Sequence, residues 1–144
     1  MTAVPRKAGR KDIPGMHRVR LAVRENPLTS CIIAEQHYVP AIEDTGRGWV
    51  IEVGGQVVAF AVGNAHTGNI WALFVDPAHE SRGYGRALHD AMVNWLFGRG
   101  LSRLFLGTMP GTRAQAFYEK AGWLYTGTHA NGEAMYQFIN PLRP

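Results

Sequence analysis

The sequence is poor in features that would tie the chain to a membrane, a metal or a disulfide framework. It has one cysteine, Cys31, which has no partner for an internal disulfide and is expected to be a small buried hydrophobe. No apolar run approaches the roughly 20 residues that cross a bilayer, and the opening MTAVPRKAGRKD lacks the apolar stretch of a secretory leader. Six scattered histidines show no metal-ligand spacing. A cytoplasmic protein without membrane or metal is therefore predicted.

Length and composition favour one globular domain. The 144 residues suffice to bury a single core, and 46% hydrophobic with 18% charged residues is ordinary for a globular protein. The sequence contains no internal repeat, low-complexity block or linker. A single domain over residues 1–144 is predicted.

The net charge points to an anionic partner. Fifteen basic against eleven acidic residues give +4 and a pI near 9.6, which suits a phosphate-bearing partner but does not distinguish nucleic acid from a small cofactor. Part of the excess lies near the start of the chain, where a solvated end is expected, and comprises Arg6, Lys7, Arg10, Lys11, Arg18 and Arg20.

The first third of the sequence reads as helical. Asp12 is placed to cap a helix over residues 13–25, which Asn26-Pro27 would stop. Residues 34–43 also have helical composition, but Pro40 removes a backbone donor within them. One kinked helix or two short helices are predicted there.

The middle of the sequence alternates strand and helix patterns. GWVIEV and QVVAFAVG flank Gly54-Gly55, which is typical of an antiparallel hairpin. NIWALFV and RLFLGTM read as buried strands on either side of an amphipathic helix that begins at Tyr84. A strand, helix, strand order is a right-handed crossover, so these two strands are expected to run parallel.

The last third adds a helix and a hairpin. Thr112 with Gln115 is a capping-box pattern that opens a short helix, and Gly122 suits the position after its end. Asn131-Gly132 separates two strand-like runs. A mixed sheet with helices packed on it is predicted.

The stretch HESRGYGRAL, residues 79–88, carries the strongest chemical signal. It lies between a buried strand and an amphipathic helix, where free amides and the helix dipole attract phosphate. Gly83 and Gly85 let the backbone come close to a ligand, and Arg82 and Arg86 add positive charge. No Gly-Lys-Ser/Thr follows, so it is not a P-loop, and a third glycine needed for a dinucleotide fingerprint is missing.

Two separated motifs resemble the GNAT family of N-acetyltransferases. They are FVDPAHESRGYGRAL and, one strand later, TRAQAFYEKAGW, and the element order agrees over residues 48–138. The resemblance implies an α+β fold: a central mixed, mostly antiparallel sheet of six or seven strands with a splayed parallel pair, flanked by about four helices. It also implies transfer of an acetyl group from acetyl-coenzyme A to a primary amine, by direct attack in a ternary complex. A homodimer is a family-level expectation.

The resemblance also implies the site residues. Tyr118 stands at the position of the general acid, and Arg24, Glu25 and Asn26 at a place where the family contacts its acceptor. The coenzyme A contacts it implies are Leu73, Phe74, Val75, Arg82, Gly83, Tyr84, Gly85, Arg86, Ala87, Ala114, Phe117 and Lys120. A backbone amide near residues 73–75 is expected to stabilise the oxyanion formed when an amine attacks a thioester.

Two positions depart from the family pattern. Glu80 stands where Gln or Arg is usual, and an acid there repels phosphate unless it points away. Gly111 replaces a frequent Asn and removes one polar contact to the cofactor arm. The general base is left open among Glu52, Glu35, His66 and Glu133.

Two alternatives compete with the enzyme. The first is an inactive domain of the same fold that binds or senses acyl-coenzyme A. The second is a basic nucleic-acid-binding module, against which the aromatic residues fall at core spacings and form no exposed stacking row.

Overall fold

The computed structural model describes residues 4–23 and 35–141, which form seven strands and four α-helices. The helices are α1 (Ile13–Ala22), α2 (Tyr38–Glu43), α3 (Tyr84–Gly98) and α4 (Arg113–Lys120). The strands are β1 (Arg6–Lys7), β2 (Gly46–Val53), β3 (Gln56–Asn64), β4 (Ile70–Val75), β5 (Arg103–Thr108), β6 (Leu124–Thr128) and β7 (Ala134–Ile139). None of the helices in this part of the chain has the length and apolar character that a membrane crossing requires.

The strands form two sheets that meet at one point. The first has the order β1-β2-β3-β4 and the second β5-β7-β6, both antiparallel. A single parallel bridge between Asn69 and Phe105 joins them, supported by the Phe105 amide donating to Gly68 O at 3.0 Å. The predicted parallel pair is therefore splayed, and the strands separate beyond this bridge into two antiparallel parts.

A bulge in β4 prepares this divergence. Val62 faces Ala72 and Gly63 faces Ile70, so Trp71 is an extra residue without a partner on β3. Bulges bend a strand and change the face on which its side chains lie. Trp71 packs with Phe74 on the side of α1, while Leu73 and Val75 pack on the side of α3.

The core has one layer on each face of the first sheet. Alternate residues of β3 divide between them: Ala59 and Ala61 face α3, whereas Phe60 and Val62 face α1 and α2. Burial of Leu88, Met92 and Leu96, all fully buried, fixes α3 in place, as its helical spacing predicts. Ile70 and Ala72 of β4 are buried, but from Leu73 onward the strand is only partly covered, because a cleft opens there.

The chain start differs from the predicted solvated end. Arg6 lies in a strand paired with β2, and its guanidinium forms ion pairs with Asp12 and Glu52. Arg18 donates to Asp76 at 3.0 Å and to Val57 O at 2.6 Å. These cations hold the first segment on the sheet.

The predicted start and end of the first helix are also corrected. Asp12 makes no cap hydrogen bond to α1; its carboxylate accepts instead from the Gly9 amide at 2.8 Å and from Arg6. The helix ends at Ala22, where Val23 turns to an extended conformation, and does not continue to residue 25. The second helical segment appears as a 3₁₀ turn, Glu35–His37, followed by α2, which corresponds to the second of the two predicted alternatives, one kinked helix or two short helices.

The last helix and hairpin follow the sequence closely. Thr112 Oγ1 accepts from the Gln115 amide at 3.2 Å, but Gln115 Oε1 accepts from the Gly111 amide at 2.7 Å, one residue before the position a capping box requires. Gly122 has φ of 103°, as expected after a helix end. The hairpin between β6 and β7 carries Gly132 at φ of 92°.

Candidate functional site

A cleft of about 930 Å³ opens where β4 and β5 diverge. This is within the size range of small-molecule and cofactor sites. Its lining combines the second half of β4, the turn before α3, the inner side of α4 and one end of α1. The residues used below are Arg20, Trp71, Leu73, Phe74, Val75, Gly83, Tyr84, Gly85, Arg86, Gly107, Arg113, Ala114, Phe117, Tyr118, Lys120 and Glu133.

One wall of the cleft is the N-terminus of α3. The first backbone bond of the helix runs from the Ala87 amide to Gly83 O at 3.0 Å, so the amides of Tyr84, Gly85 and Arg86 precede the helical bonding pattern. No carbonyl of the described residues accepts from these three amides. Gly83 makes the turn possible with φ of 82°, in the left-handed region. The result is an anion site made of backbone, reinforced by the helix dipole.

Charged side chains surround this turn. Arg86 pairs with Asp90 one helical turn on, at 3.1 Å, and stays largely exposed. Lys120 adds a second cation to the lining from α4. Glu80 forms an ion pair with Arg113 at the cleft. This pair neutralises the negative charge that would otherwise repel a phosphate at this position.

Two of the predicted contacts lie differently from the rest. Arg82 is exposed and does not line the cleft, while the Ala87 amide is already used inside the helix. Ala114 is exposed and not on a buried helix face, but it lies in the cleft lining with Phe117 and Lys120. Ten of the twelve predicted cofactor contacts are thus brought together.

The edge of β4 that faces the cleft carries free backbone groups. The Asp76 amide donates to Val58 O on β3, and strand residues alternate in the direction of their backbone groups. Phe74 therefore points its amide at β3, whereas Leu73 and Val75 point theirs away from β3 and toward β5. Because β5 pairs with this segment only at Asn69, these two amides face the cleft.

Tyr118 lies between the two walls. Its side chain is 6% exposed and packs edge-on against Phe117 and Trp123, at 5.4 and 5.5 Å between ring centroids. No described residue hydrogen-bonds its hydroxyl. Burial raises the pKa of the Tyr118 phenol well above its ordinary value, so the group stays protonated at neutral pH.

The four candidate bases separate once their positions are known. Glu52 is tied to Arg6, and Glu35 and His66 are exposed outside the cleft lining. Glu133 alone among them lines the cleft. Its carboxylate lies over Gly107 of β5, where an added Cβ would sit 3.2 Å from Oε2, and Asn131 Nδ2 holds Oε1 at 2.8 Å.

The far end of the cleft contains a group that the sequence analysis missed. Arg20 of α1 is 6% exposed, and its guanidinium carbon lies 4.6 Å from the Trp71 ring centroid and 5.0 Å from that of Phe74. Its spacing of four residues from buried Met16 was the available signal, since it places Arg20 on the inner face of α1.

The remaining predicted contacts cannot be located in the same way. Arg24, Glu25 and Asn26, predicted to bind the acceptor, lie outside the described residues, as does Cys31. In residues 4–23 and 35–141, no three His, Cys, Asp or Glu side chains form a group that would hold a metal ion.

An α+β fold with a splayed strand pair and a bare helix N-terminus at the splay defines a class of proteins that bind an extended, phosphate-bearing ligand between strands. The chain belongs to the acetyltransferase (GNAT) family, whose model matches residues 12–123. Acetyl-coenzyme A is the cosubstrate of this family. The family and fold predicted from the two motifs are therefore confirmed.

Three similar proteins agree with this assignment. It is 41% identical over 70 residues to a mycothiol acetyltransferase of Beutenbergia cavernae, covering 48% of this chain and 24% of that protein. It is 34% identical over 70 residues to a [ribosomal protein bS18]-alanine N-acetyltransferase of Haemophilus ducreyi, covering 46% and 48%. The chain thus matches half or less of the length of these relatives. The PaiA N-acetyltransferase of Thermoplasma acidophilum, solved with coenzyme A, has the same fold at 13% identity, with a TM-score of 0.80 over 97% of this chain and 100% of that one.

Proposed function

We propose that the protein transfers an acetyl group from acetyl-coenzyme A to a primary amine by direct attack within a ternary complex. The observation that carries this proposal is the set of three unpaired amides, on Tyr84, Gly85 and Arg86, at the mouth of a cleft between diverging strands. A diphosphate satisfies such amides, and the cleft continues from them toward the free edge of β4.

The residues present fit coenzyme A. The α3 amides would hold its diphosphate, with Arg86 and Lys120 supplying charge. One of the Leu73 and Val75 amides would bind the extended arm as an added strand does, which leaves the other for the acetyl carbonyl, and Phe117 and Ala114 would cover the other side of the arm. Bound there, acetyl-coenzyme A supplies an activated acetyl thioester.

Two side chains, those of Glu133 and Tyr118, transfer the protons of the reaction. Glu133 accepts a proton from the incoming ammonium group, directly or through a water, because an amine with a reference pKa of about 10.4 is mostly protonated at neutral pH. Tyr118 keeps its proton until a sulfur leaves, and donates a hydrogen bond or the proton to that sulfur. The cleft-facing amides of β4 are positioned to stabilise negative charge on a carbonyl oxygen.

A two-part experiment tests the proposal. Coenzyme A should raise the melting temperature, since a ligand at 100 times its Kd adds about 2.7 kcal/mol of stability. A panel of amines, amino acids, polyamines and peptides should then contain acceptors that release thiol from acetyl-coenzyme A. Absence of a thermal shift at millimolar coenzyme A would refute the proposal. A shift without amine-dependent thiol release would favour an acyl-coenzyme A-binding domain without transferase activity.

A further inference from the structure

The guanidinium of Arg20 is a buried charge without a counter-ion among the described residues. It lies at the α1 end of the cleft, on the side of β4 opposite α3, among the rings of Trp71, Phe74 and Tyr38. The bulge in β4 is what brings Trp71 to this side of the sheet. Stacking on aromatic faces holds the planar group in one orientation.

Its hydrogen bonds are incomplete. Nε donates to the Tyr38 hydroxyl at 3.1 Å, and that hydroxyl lies 3.2 Å from His17 Nδ1. Burial raises the pKa of Tyr38, so its oxygen is a neutral acceptor and does not compensate the charge. Nη2 is buried and has no acceptor among residues 4–23 and 35–141.

In the part of the chain that the structure describes, the acidic groups nearby are engaged elsewhere or form no ion pair with it. Asp76 pairs with Arg18. Glu35 is close enough to Tyr38 to affect that residue's pKa but forms no ion pair with Arg20. Removing a guanidinium from water without an anion is costly, so a buried unpaired arginine in a cleft marks a place where a ligand supplies the anion.

We propose that Arg20 binds a carboxylate carried by the acceptor, so that the acceptor is an amine that also bears a carboxylate group. This inference rests on the proposed function, since it names the substrate class of the same site. A flat carboxylate matches the fork of one stacked guanidinium, which offers two parallel donors to its two oxygens. The cluster of cations that usually binds phosphate is at the other end of the cleft.

Paired acceptors test the proposal. Glycine, β-alanine and 4-aminobutanoate are each compared with their carboxamides, by thiol release from acetyl-coenzyme A, for the unaltered protein and for Arg20→Met and Arg20→Lys. Methionine keeps the bulk and loses the charge. Comparing acid-to-amide ratios of kcat/KM between proteins cancels the different amine pKa values within each pair. The chain-length series reports the distance from amine to carboxylate.

The expected result is a preference for one acid over its amide, which Arg20→Met lowers at least tenfold and Arg20→Lys lowers less. The matched control is Arg47→Met, because the Arg47 guanidinium lies 4.6 Å from the Trp95 ring, the same distance, outside the cleft. It should leave the ratio unchanged. An acid-to-amide ratio that Arg20→Met does not alter would overturn the proposal.

A binding measurement separates this inference from the proposed function. With coenzyme A present, the N-acetyl derivative of the preferred acid should raise the melting temperature of the unaltered protein more than its amide does, and Arg20→Met should abolish that difference. Equal shifts from acid and amide would overturn the carboxylate site. Failure of the proposed function has a different signature: no amine of either kind releases thiol, whatever the binding result.

Discussion

The two ends of the cleft differ in the groups that line them, which are mainly backbone amides at α3 and mainly side chains at α1. The end at α3 consists of backbone: three unpaired amides, a left-handed glycine and a second glycine that leaves room for a ligand. The end at α1 consists of large side chains, with a buried arginine among Trp71 and Phe74. Backbone amides are the same in every member of a fold and suit a constant cosubstrate, whereas side chains can vary and suit a particular acceptor.

The largest effect on activity is expected for Tyr118, which lines the cleft. Tyr118→Phe should lower kcat by roughly 10²-fold or more, the usual contribution of a general acid, with little change in coenzyme A affinity. The fold should persist, since no described residue depends on the Tyr118 hydroxyl for a hydrogen bond. Steady-state kinetics with calorimetric titration of coenzyme A would separate the two quantities. An unchanged kcat over the pH range would remove Tyr118 from the mechanism.

A smaller and pH-dependent loss is expected at Glu133. Glu133→Gln should lower kcat/KM by about 10²-fold near neutral pH, and the loss should shrink as pH approaches the acceptor's own pKa, where free amine no longer needs a base. Glu52→Gln is the control, because Glu52 pairs with Arg6 away from the cleft and such exposed pairs add little stability. A loss that stays constant with pH would assign Glu133 a positioning role.

The backbone end can be changed with one methyl group. An added Cβ at Gly85 would meet Val75 Cγ2 at 3.6 Å and Phe117 Cε1 at 3.8 Å, both ordinary contacts, so Gly85→Ala should fold. The methyl group occupies the space next to the free amides, and we expect roughly tenfold weaker coenzyme A binding, the loss of about one hydrogen bond to a charged group.

Gly98→Ala is the matched control for that change. Gly98 ends the same helix, and an added Cβ there would meet nothing within 4 Å. Both substitutions should raise helix stability by up to about 1 kcal/mol, but only Gly85→Ala should weaken the binding of coenzyme A. Equal coenzyme A affinity in the two variants, measured by calorimetry, would argue against a diphosphate at this turn.

The same contrast explains what the sequence could predict. At the backbone end, the stretch of residues 79–88 predicts Gly83 to Arg86, which line the cleft, because its glycines lie between a strand and a helix. Arg82 and Ala87, predicted with them, do not line it. The boundaries of α3 followed from its apolar spacing. The sequence predicts Arg20 as part of a solvated end, because its neighbours Trp71 and Phe74 are some fifty residues away along the chain. The bulge in β4 that turns Trp71 toward Arg20 is not visible in the sequence, because the apolar run of this strand is unbroken.

The smallest predicted effect concerns the support behind the backbone end. His89 of α3 is 2% exposed; its Nε2 accepts from Trp123 Nε1 at 2.9 Å, and its Nδ1 lies 2.9 Å from Asp90 Oδ1. Burial lowers its pKa despite the opposing effect of Asp90, and the bond from Trp123 requires the neutral ring. Below about pH 6.5 the unfolded chain binds a proton that the folded protein does not. The free energy of unfolding should therefore decrease as the pH is lowered, by at most about 1.4 kcal/mol per pH unit.

The aspartates affect the free energy of unfolding at lower pH than His89 does. The pKa values of Asp12, Asp76 and Asp90 are lowered in the fold, so their stabilising contribution is complete above about pH 4 and is lost only below it. Urea unfolding between pH 7 and 5 should therefore isolate His89, and His89→Gln should flatten the slope. A slope that survives the substitution would mean that another group titrates. A flattened slope would show that α3, whose first turn carries the bare amides, is stabilised by a histidine that must stay neutral.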